Sequence, residues 1–257
     1  MTETTNKKLN LNASDHGLMI GAWVDLASPL ICEILGSVGF DWVLIDAEHG
    51  PNSVPHVLSQ LQAIAAYSTI PVVRLPNHDA SLIKRYLDIG ATNLLVPFVN
   101  CAEQATEIVR ATRYPPHGIR GAGAGLARVS RWGTNANYLL KANQEITLLL
   151  QVETNVALNN VEEIASVEGV DGIFFGPADI AASVGKLGMA DDPVVQQMIL
   201  DAINRLTALN KPSGVFSTNR EFLEACSSAG GRLIGATSDV NLLVSGGKTL
   251  LASYKEK

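Results

Sequence analysis

The stretch "VLIDAEHGPNSV" (Val43–Val54) opens as an apolar run fit for a buried strand, then turns within a few residues to Asp46, Glu48, His49, Gly50 and Pro51. A buried strand favours apolar residues, so acids and an imidazole at its end mark the point where the chain leaves the core. The run Trp42–Asp46 has seven counterparts: Leu18–Trp23, Pro71–Leu75, Asn93–Val99, Thr147–Glu153, Gly172–Gly176, Ser213–Ser217 and Arg232–Thr237. All eight are near-continuously apolar, the mark of strands covered on both faces in a parallel sheet.

Helix-period segments lie between the runs. The clearest, "DPVVQQMILDAINRLTALN", places Val194, Val195, Met198, Ile199, Ala202 and Leu206 along one stripe. Gly39, Gly90, Gly169 and Gly230 stand just before a strand-like run, where a glycine in left-handed conformation ends a helix. Eight strand–helix repeats without a break in composition predict an α/β fold, a single-domain TIM (β/α)8 barrel over 16–257, with a polar N-terminal tail over 1–15. A doubly wound open sheet is the alternative. The glycine-rich excursion Arg113–Tyr138 breaks the repeat. Its spacing matches no phosphate-loop pattern, and it is expected to wall the barrel mouth.

Composition removes several classes of function. With 19 basic and 25 acidic residues the net charge is −6, and the arginines are scattered, which argues against nucleic acid as a partner. No apolar run approaches the roughly 20 residues that span a bilayer, so no membrane partner is expected. The N-terminal residues lack the apolar core of a signal peptide. Cys32, Cys101 and Cys226 are far apart, which fits a reducing cytoplasm rather than a disulfide scaffold.

Barrel active sites form at the C-terminal ends of the strands. Asp46 and His49, Arg74, Gln151 and Glu153, and Asp179 fall there, and Asp88 ends the third helical segment. Glu153 and Asp179 end successive strands, which lie about 4.8 Å apart. Carboxylates so close repel unless they share a proton or a cation. An all-oxygen donor pair suits Mg²⁺ or Mn²⁺; two solvated rim acids are the bland alternative. Arg74, inside a strand, either pairs with a structural carboxylate such as Asp46 or Asp88, or receives an anionic substrate. His49 is either a general base or an ordinary hydrogen-bonded side chain. No lysine lies at a C-terminal strand end, which closes the Schiff-base route to aldol chemistry.

Taken together, "GFDWVLIDAEHGPN", "PVVRLP", "IKRYLDIGATNLLVPFV", "ATRYPPHGIRGAGA", "LLLQVET" and "GVDGIFFGPADIAASVG" resemble the HpcH/HpaI family of metal-dependent 2-oxo acid aldolases. The similarity runs from about Gly21 to Ala229 and points to the branch acting on 4-hydroxy-2-oxoheptanedioate, 2-dehydro-3-deoxyglucarate and 2-keto-3-deoxy-L-rhamnonate. The resemblance implies a hexamer, often with the last helix exchanged between subunits. It implies a divalent metal on Glu153 and Asp179 (Mg²⁺ or Mn²⁺, with Co²⁺ and Zn²⁺ as further options) and no organic cofactor. It further implies a base at His49 working with Asp88, Arg74 on the 2-oxo oxygen, and Gln151 and Asp46 in support. The backbone of Gly176, Pro177 and Ala178 would lie against the pyruvyl carboxylate, and Phe216 would border the aldehyde pocket. The implied reaction cleaves a 4-hydroxy-2-oxo acid reversibly to pyruvate and an aldehyde. Ala124, Phe216 and Thr237 depart from common family residues and fall where aldehyde preference could change. Oxaloacetate decarboxylases and acyl-CoA lyases with related chemistry, and a non-catalytic barrel scaffold, are the alternatives.

Overall fold

The structure, a computed structural model, describes residues 7–11 and 17–255. Strand β1 (Met19–Val24) leads to helix α1 (Pro29–Val38), β2 (Trp42–Asp46) to α2 (Val54–Ile64), β3 (Ile70–Arg74) to α3 (Ala80–Asp88), and β4 (Asn93–Val96) to α4 (Ala102–Thr112). A short helix α5 (Tyr138–Glu145) precedes β5 (Thr147–Val152), which α6 (Asn155–Asn159) and α7 (Val161–Ser166) follow. Then come β6 (Gly172–Phe175), α8 (Pro177–Ser183), α9 (Pro193–Ala208), β7 (Ser213–Phe216), α10 (Arg220–Ser228), β8 (Leu233–Ser238) and α11 (Asp239–Lys255). The strands close in sequence order into one barrel, every pair parallel. Among the described residues no helix is long and apolar enough to cross a membrane.

Local sequence explains the breaks. Gly39 and Gly90, at φ 94° and 97°, take the left-handed turn after α1 and α3 that other residues adopt only at a cost. The predicted strand Asn93–Val99 ends three residues early, at Val96. Pro97 has no N–H for a ladder, and Phe98 adopts φ 55°, which turns its N–H toward the carboxylate of Glu153 at 2.7 Å.

Two apolar layers hold the barrel. Val43, Ile45, Val73 and Ile173 face outward against the helices, while Trp42, Leu44, Val72, Leu95, Leu149 and Phe174 fill the interior. Part of the stretch predicted as a polar tail belongs to that interior: Leu9 and Leu11 are buried within it. The N–H of Leu9 donates to the Asn93 side chain, and its carbonyl accepts from Thr147, so this segment stoppers the N-terminal end of the barrel. Residues 1–6 and 12–15 of the predicted tail, and His16, lie outside the described residues.

The excursion Arg113–Tyr138 corrects an expectation. It follows α4 and precedes β5, so the alternation of the barrel puts it at the N-terminal face, away from the mouth of its own chain. Arg128 donates to the carbonyl of Ile89, and buried Arg120 donates to Asp88 at 2.9 Å while lying over the Tyr114 ring.

Candidate active site

Strand periodicity aims the functional side chains. Side chains alternate across a strand, and Trp42 and Leu44 fill the barrel interior, so Asp46 also points inward. The same parity carries Val72 to Arg74, Leu149 to Gln151 and Glu153, Phe174 to Gly176, and Trp23 to Asp25. These residues ring the C-terminal mouth. Most line a cavity of about 710 Å³ that also takes in His49, Pro177, Ala178, Asp179 and Phe216.

Arg74 is the hub. It is the register partner of Asp46 on the neighbouring strand and binds it through two parallel hydrogen bonds, Nε to Oδ1 at 2.9 Å and Nη2 to Oδ2 at 2.6 Å. Its remaining nitrogen, Nη1, lies 3.0 Å from Glu48 Oε2. Of the two carboxylates expected to pair with Arg74, Asp46 does so and Asp88 does not. Glu48 is a partner that sequence reasoning passed over. Burial pushes the Asp46 carboxyl up, but Arg74 and the N–H groups of Glu48 and His49 hold it below the usual range. The Asp46 carbonyl accepts from Asn52, whose side chain accepts from Gln60, and this chain of bonds fixes the turn that presents His49.

Glu153 is buried at the floor of the mouth. One carboxylate oxygen accepts from Phe98 N–H and the other from Gln151 Nε2 at 2.6 Å. Burial, then the Glu48 and Asp179 carboxylates, lift its pKa to about 8 against the pull of the Phe98 N–H and Arg74. Burial also raises Glu48, and Asp46 and Asp179 add to the rise. A buried carboxylate raised to about 8, with Glu48 and Asp179 adding their negative charge, suits a hard cation. Two further signs agree. Gln151 Oε1 is buried without a hydrogen-bond partner. At Gly176 a Cβ would come within 2.7 Å of Glu153 Oε2 and 3.0 Å of Gln151 Nε2, so glycine keeps this floor open. Among the described residues no three His, Cys, Asp or Glu side chains form a ready-made metal cluster. A cation on Glu153 and Asp179 would therefore complete its shell with water or substrate, the habit of Mg²⁺.

Two predicted positions stay away from the mouth. Asp88 ends α3 at the opposite face, bound to Arg120, so one chain does not bring it to His49. Ala124 is buried in the excursion and does not line the cavity. Asp25, Ser238 and Asn241 do line it, although none was singled out in the sequence. Fold and site together define a (β/α)8-barrel enzyme whose chemistry lies in an acidic, oxygen-lined mouth around one arginine.

A family model described as HpcH/HpaI aldolase/citrate lyase matches residues 19–245. The chain is 50% identical to a hydroxypyruvate/pyruvate aldolase of Deinococcus radiodurans over 93% of its length and 86% of that protein's. It is 45% identical to a 2-keto-3-deoxy-L-rhamnonate aldolase of Klebsiella pneumoniae, over 92% of this chain and 88% of that one. A crystal structure of an HpcH/HpaI aldolase/citrate lyase family protein from Burkholderia cenocepacia superposes with a TM-score of 0.90 at 36% identity, covering 93% of this chain and 95% of that one. The chain belongs to the HpcH/HpaI aldolase/citrate lyase family.

Proposed function

We propose that the protein is a divalent-cation-dependent aldolase that reversibly cleaves a 4-hydroxy-2-oxo acid into pyruvate and an aldehyde. The observation that carries this reading is the buried Glu153, close enough to Asp179 and Arg74 to feel both charges, packed against Gln151 and Gly176, which line the cavity together with Asp179 and Arg74. A divalent ion on these carboxylates, Mg²⁺ or Mn²⁺ first, supplies Lewis-acid stabilisation of negative charge at the keto oxygen.

The chain's own groups supply the rest. Arg74 is held by Asp46 and Glu48 before substrate arrives, so its orientation costs nothing during the reaction. Gln151 fixes Glu153, and the backbone of Gly176–Ala178 flanks the pyruvyl carboxylate. As the C3–C4 bond breaks, the C4 hydroxyl must lose a proton, and His49, exposed at the cavity rim, takes it directly or through water. Asp88 of the same chain lies at the wrong end of the barrel to orient His49. That role therefore falls to Asp88 of a neighbouring subunit in a hexamer.

Helix α11 supports such an assembly. Of its side chains only Asp239 is buried, while Leu243, Leu250, Leu251 and Tyr254 are exposed, an apolar surface that asks for a partner. Exchange of this helix between subunits would cover it. The three free thiols, two of them buried, fit a cytoplasmic protein. The test is a panel of 4-hydroxy-2-oxo acids, with pyruvate release followed with and without chelator. Cleavage that survives complete removal of metal overturns the reading.

A further inference from the structure

The pyruvyl half of the site draws on β2, β3, β5 and β6, which leaves the arc of the mouth formed by β7, β8 and β1. Trp23 and Phe216 floor this arc, their rings 4.6 Å apart. Above them stand Asp25, Ser217, Thr218, Ser238 and Asn241. The Ser238 side chain lines the cavity beside Asp25, and its hydroxyl lies near enough to the carboxylate to draw its pKa down. The backbone N–H groups of Asp25 and Leu26 donate to Asp239 at 3.0–3.1 Å, which ties the end of β1 to the start of α11 and fixes where Asp25 points. Asp191 closes the cavity from the α8–α9 connection. Among the described residues that line the cavity, Arg74 is the one permanent cation, and it is engaged by Asp46 and Glu48.

From this arrangement we infer that Asp25, with Ser238 and Asn241, is a hydroxyl-binding subsite for the aldehyde half of the substrate. It selects small hydroxylated aldehydes over alkyl ones and over those ending in a carboxylate. The inference rests on the aldolase reading above. The chemistry is direct. A carboxylate accepts hydrogen bonds from substrate hydroxyls, which replace the water it loses when the pocket fills. An alkyl aldehyde leaves that carboxylate desolvated and unpaired. An aldehyde with a distal carboxylate sets a second negative charge against Asp25 and Asp191, with no cation on the arc to offset it. A site that hydrogen-bonds a substrate hydroxyl discriminates far more sharply against its absence than a greasy pocket discriminates by size. Partial exposure of Asp25 keeps the expected effect at the modest end of that range.

The experiment measures kcat/KM for glycolaldehyde, propanal and succinic semialdehyde at saturating pyruvate with Mg²⁺ or Mn²⁺, in wild type, Asp25→Leu and Asp25→Lys. Glycolaldehyde and propanal have the same number of heavy atoms, and the ratio within one enzyme cancels any general loss of activity. In Asp25→Leu the glycolaldehyde-to-propanal ratio falls about tenfold or more, and in Asp25→Lys the relative rate with succinic semialdehyde rises about tenfold. Ratios unchanged by both substitutions overturn the inference. If neither variant melts cooperatively, Ser238→Ala, which removes one hydroxyl-binding group from the same subsite, must shift the first ratio in the same direction, and an unshifted ratio refutes it. Deuterium exchange at C3 of pyruvate in the wild type needs only the pyruvyl half. Its absence brings down the aldolase reading itself, whereas exchange with unmoved aldehyde ratios brings down only the role of Asp25.

Discussion

Asp46 and Arg74 face each other across adjacent strands and are joined by two parallel hydrogen bonds of 2.9 and 2.6 Å. The pairing needs the planar fork of a guanidinium, which an ammonium cannot reproduce. Arg74→Lys is therefore not conservative. It leaves Asp46 or Glu48 short of a partner in a buried setting, and kcat/KM falls roughly 100-fold or more while the fold persists. Arg74→Ala goes further and strands both carboxylates, at a cost of about 3–5 kcal/mol. Pyruvate-release kinetics alongside urea denaturation check both, and an Arg74→Lys enzyme of near-normal rate contradicts the assignment.

Glu153→Gln keeps the shape of the side chain and its bond from Phe98 but removes the charge. Loss of several kcal/mol of transition-state stabilisation corresponds to roughly 100-fold or more in kcat/KM. Titration calorimetry with Mn²⁺ should show weakened binding in this variant and in Asp179→Asn. Undiminished Mn²⁺ affinity in both variants rules out the proposed ligands.

Gly176→Ala tests the open floor. The added methyl meets Glu153 Oε2 and Gln151 Nε2, and both side chains are anchored, so they shift rather than swing clear. A displacement on the ångström scale costs about 100-fold in rate. The melting temperature should move little. A variant that turns over like the wild type shows that this floor does not carry the substrate.

The carboxyl of Asp25 is pushed up from 3.8 to about 6, first by burial and then by Asp46 and Asp239, against the pull of Arg74 and the nearby Ser238 hydroxyl. The folded chain thus holds this proton more tightly than the unfolded chain. The associated stability is fully present below about pH 4 and lost as pH rises through 6. Above pH 7 Asp25→Asn should be the more stable protein, by on the order of 1 kcal/mol once solvent screening of a partly exposed group is allowed for. Below pH 4 the advantage disappears. Urea melts at pH 4 and 7.5 read this directly, and an advantage that grows toward acid reverses the sign and refutes it.

Leu243→Glu and Leu251→Glu place charge on the apolar surface of α11. If subunits bury this helix, light scattering should show a smaller particle for the variants than for the wild type, with helical content retained. An identical mass for variants and wild type places the interface elsewhere.

The sequence made much of this legible through strand parity. Eight apolar runs and four glycines that end helices favour a barrel but leave a doubly wound open sheet as the alternative, which the closed strand order removes, and Asp46, Arg74, Gln151 and Glu153 follow from counting by twos along those runs. Asp25 obeys the same count from Trp23, but the first run reads as ending at Trp23, and the polar residue beyond it looks like a loop. Glu48 offers no such signal. It lies in a turn without a period, and its contact with Arg74 depends on the bonds through Asn52 and Gln60. The excursion Arg113–Tyr138 misleads for another reason. Composition marks a long loop but not the direction of the helix before it, and α4 delivers this one to the base. Asp88 shares that fate, since the end of a helix in a barrel is the end farthest from the mouth.

Leu9 and Leu11 add the last layer to a filled interior, so the barrel is a well rather than a tunnel. Traffic through a well obeys an order: what lies deepest enters first and departs last. If the keto acid sits toward Glu153 as proposed, it must arrive before its aldehyde partner, and after cleavage the aldehyde must leave before pyruvate can follow.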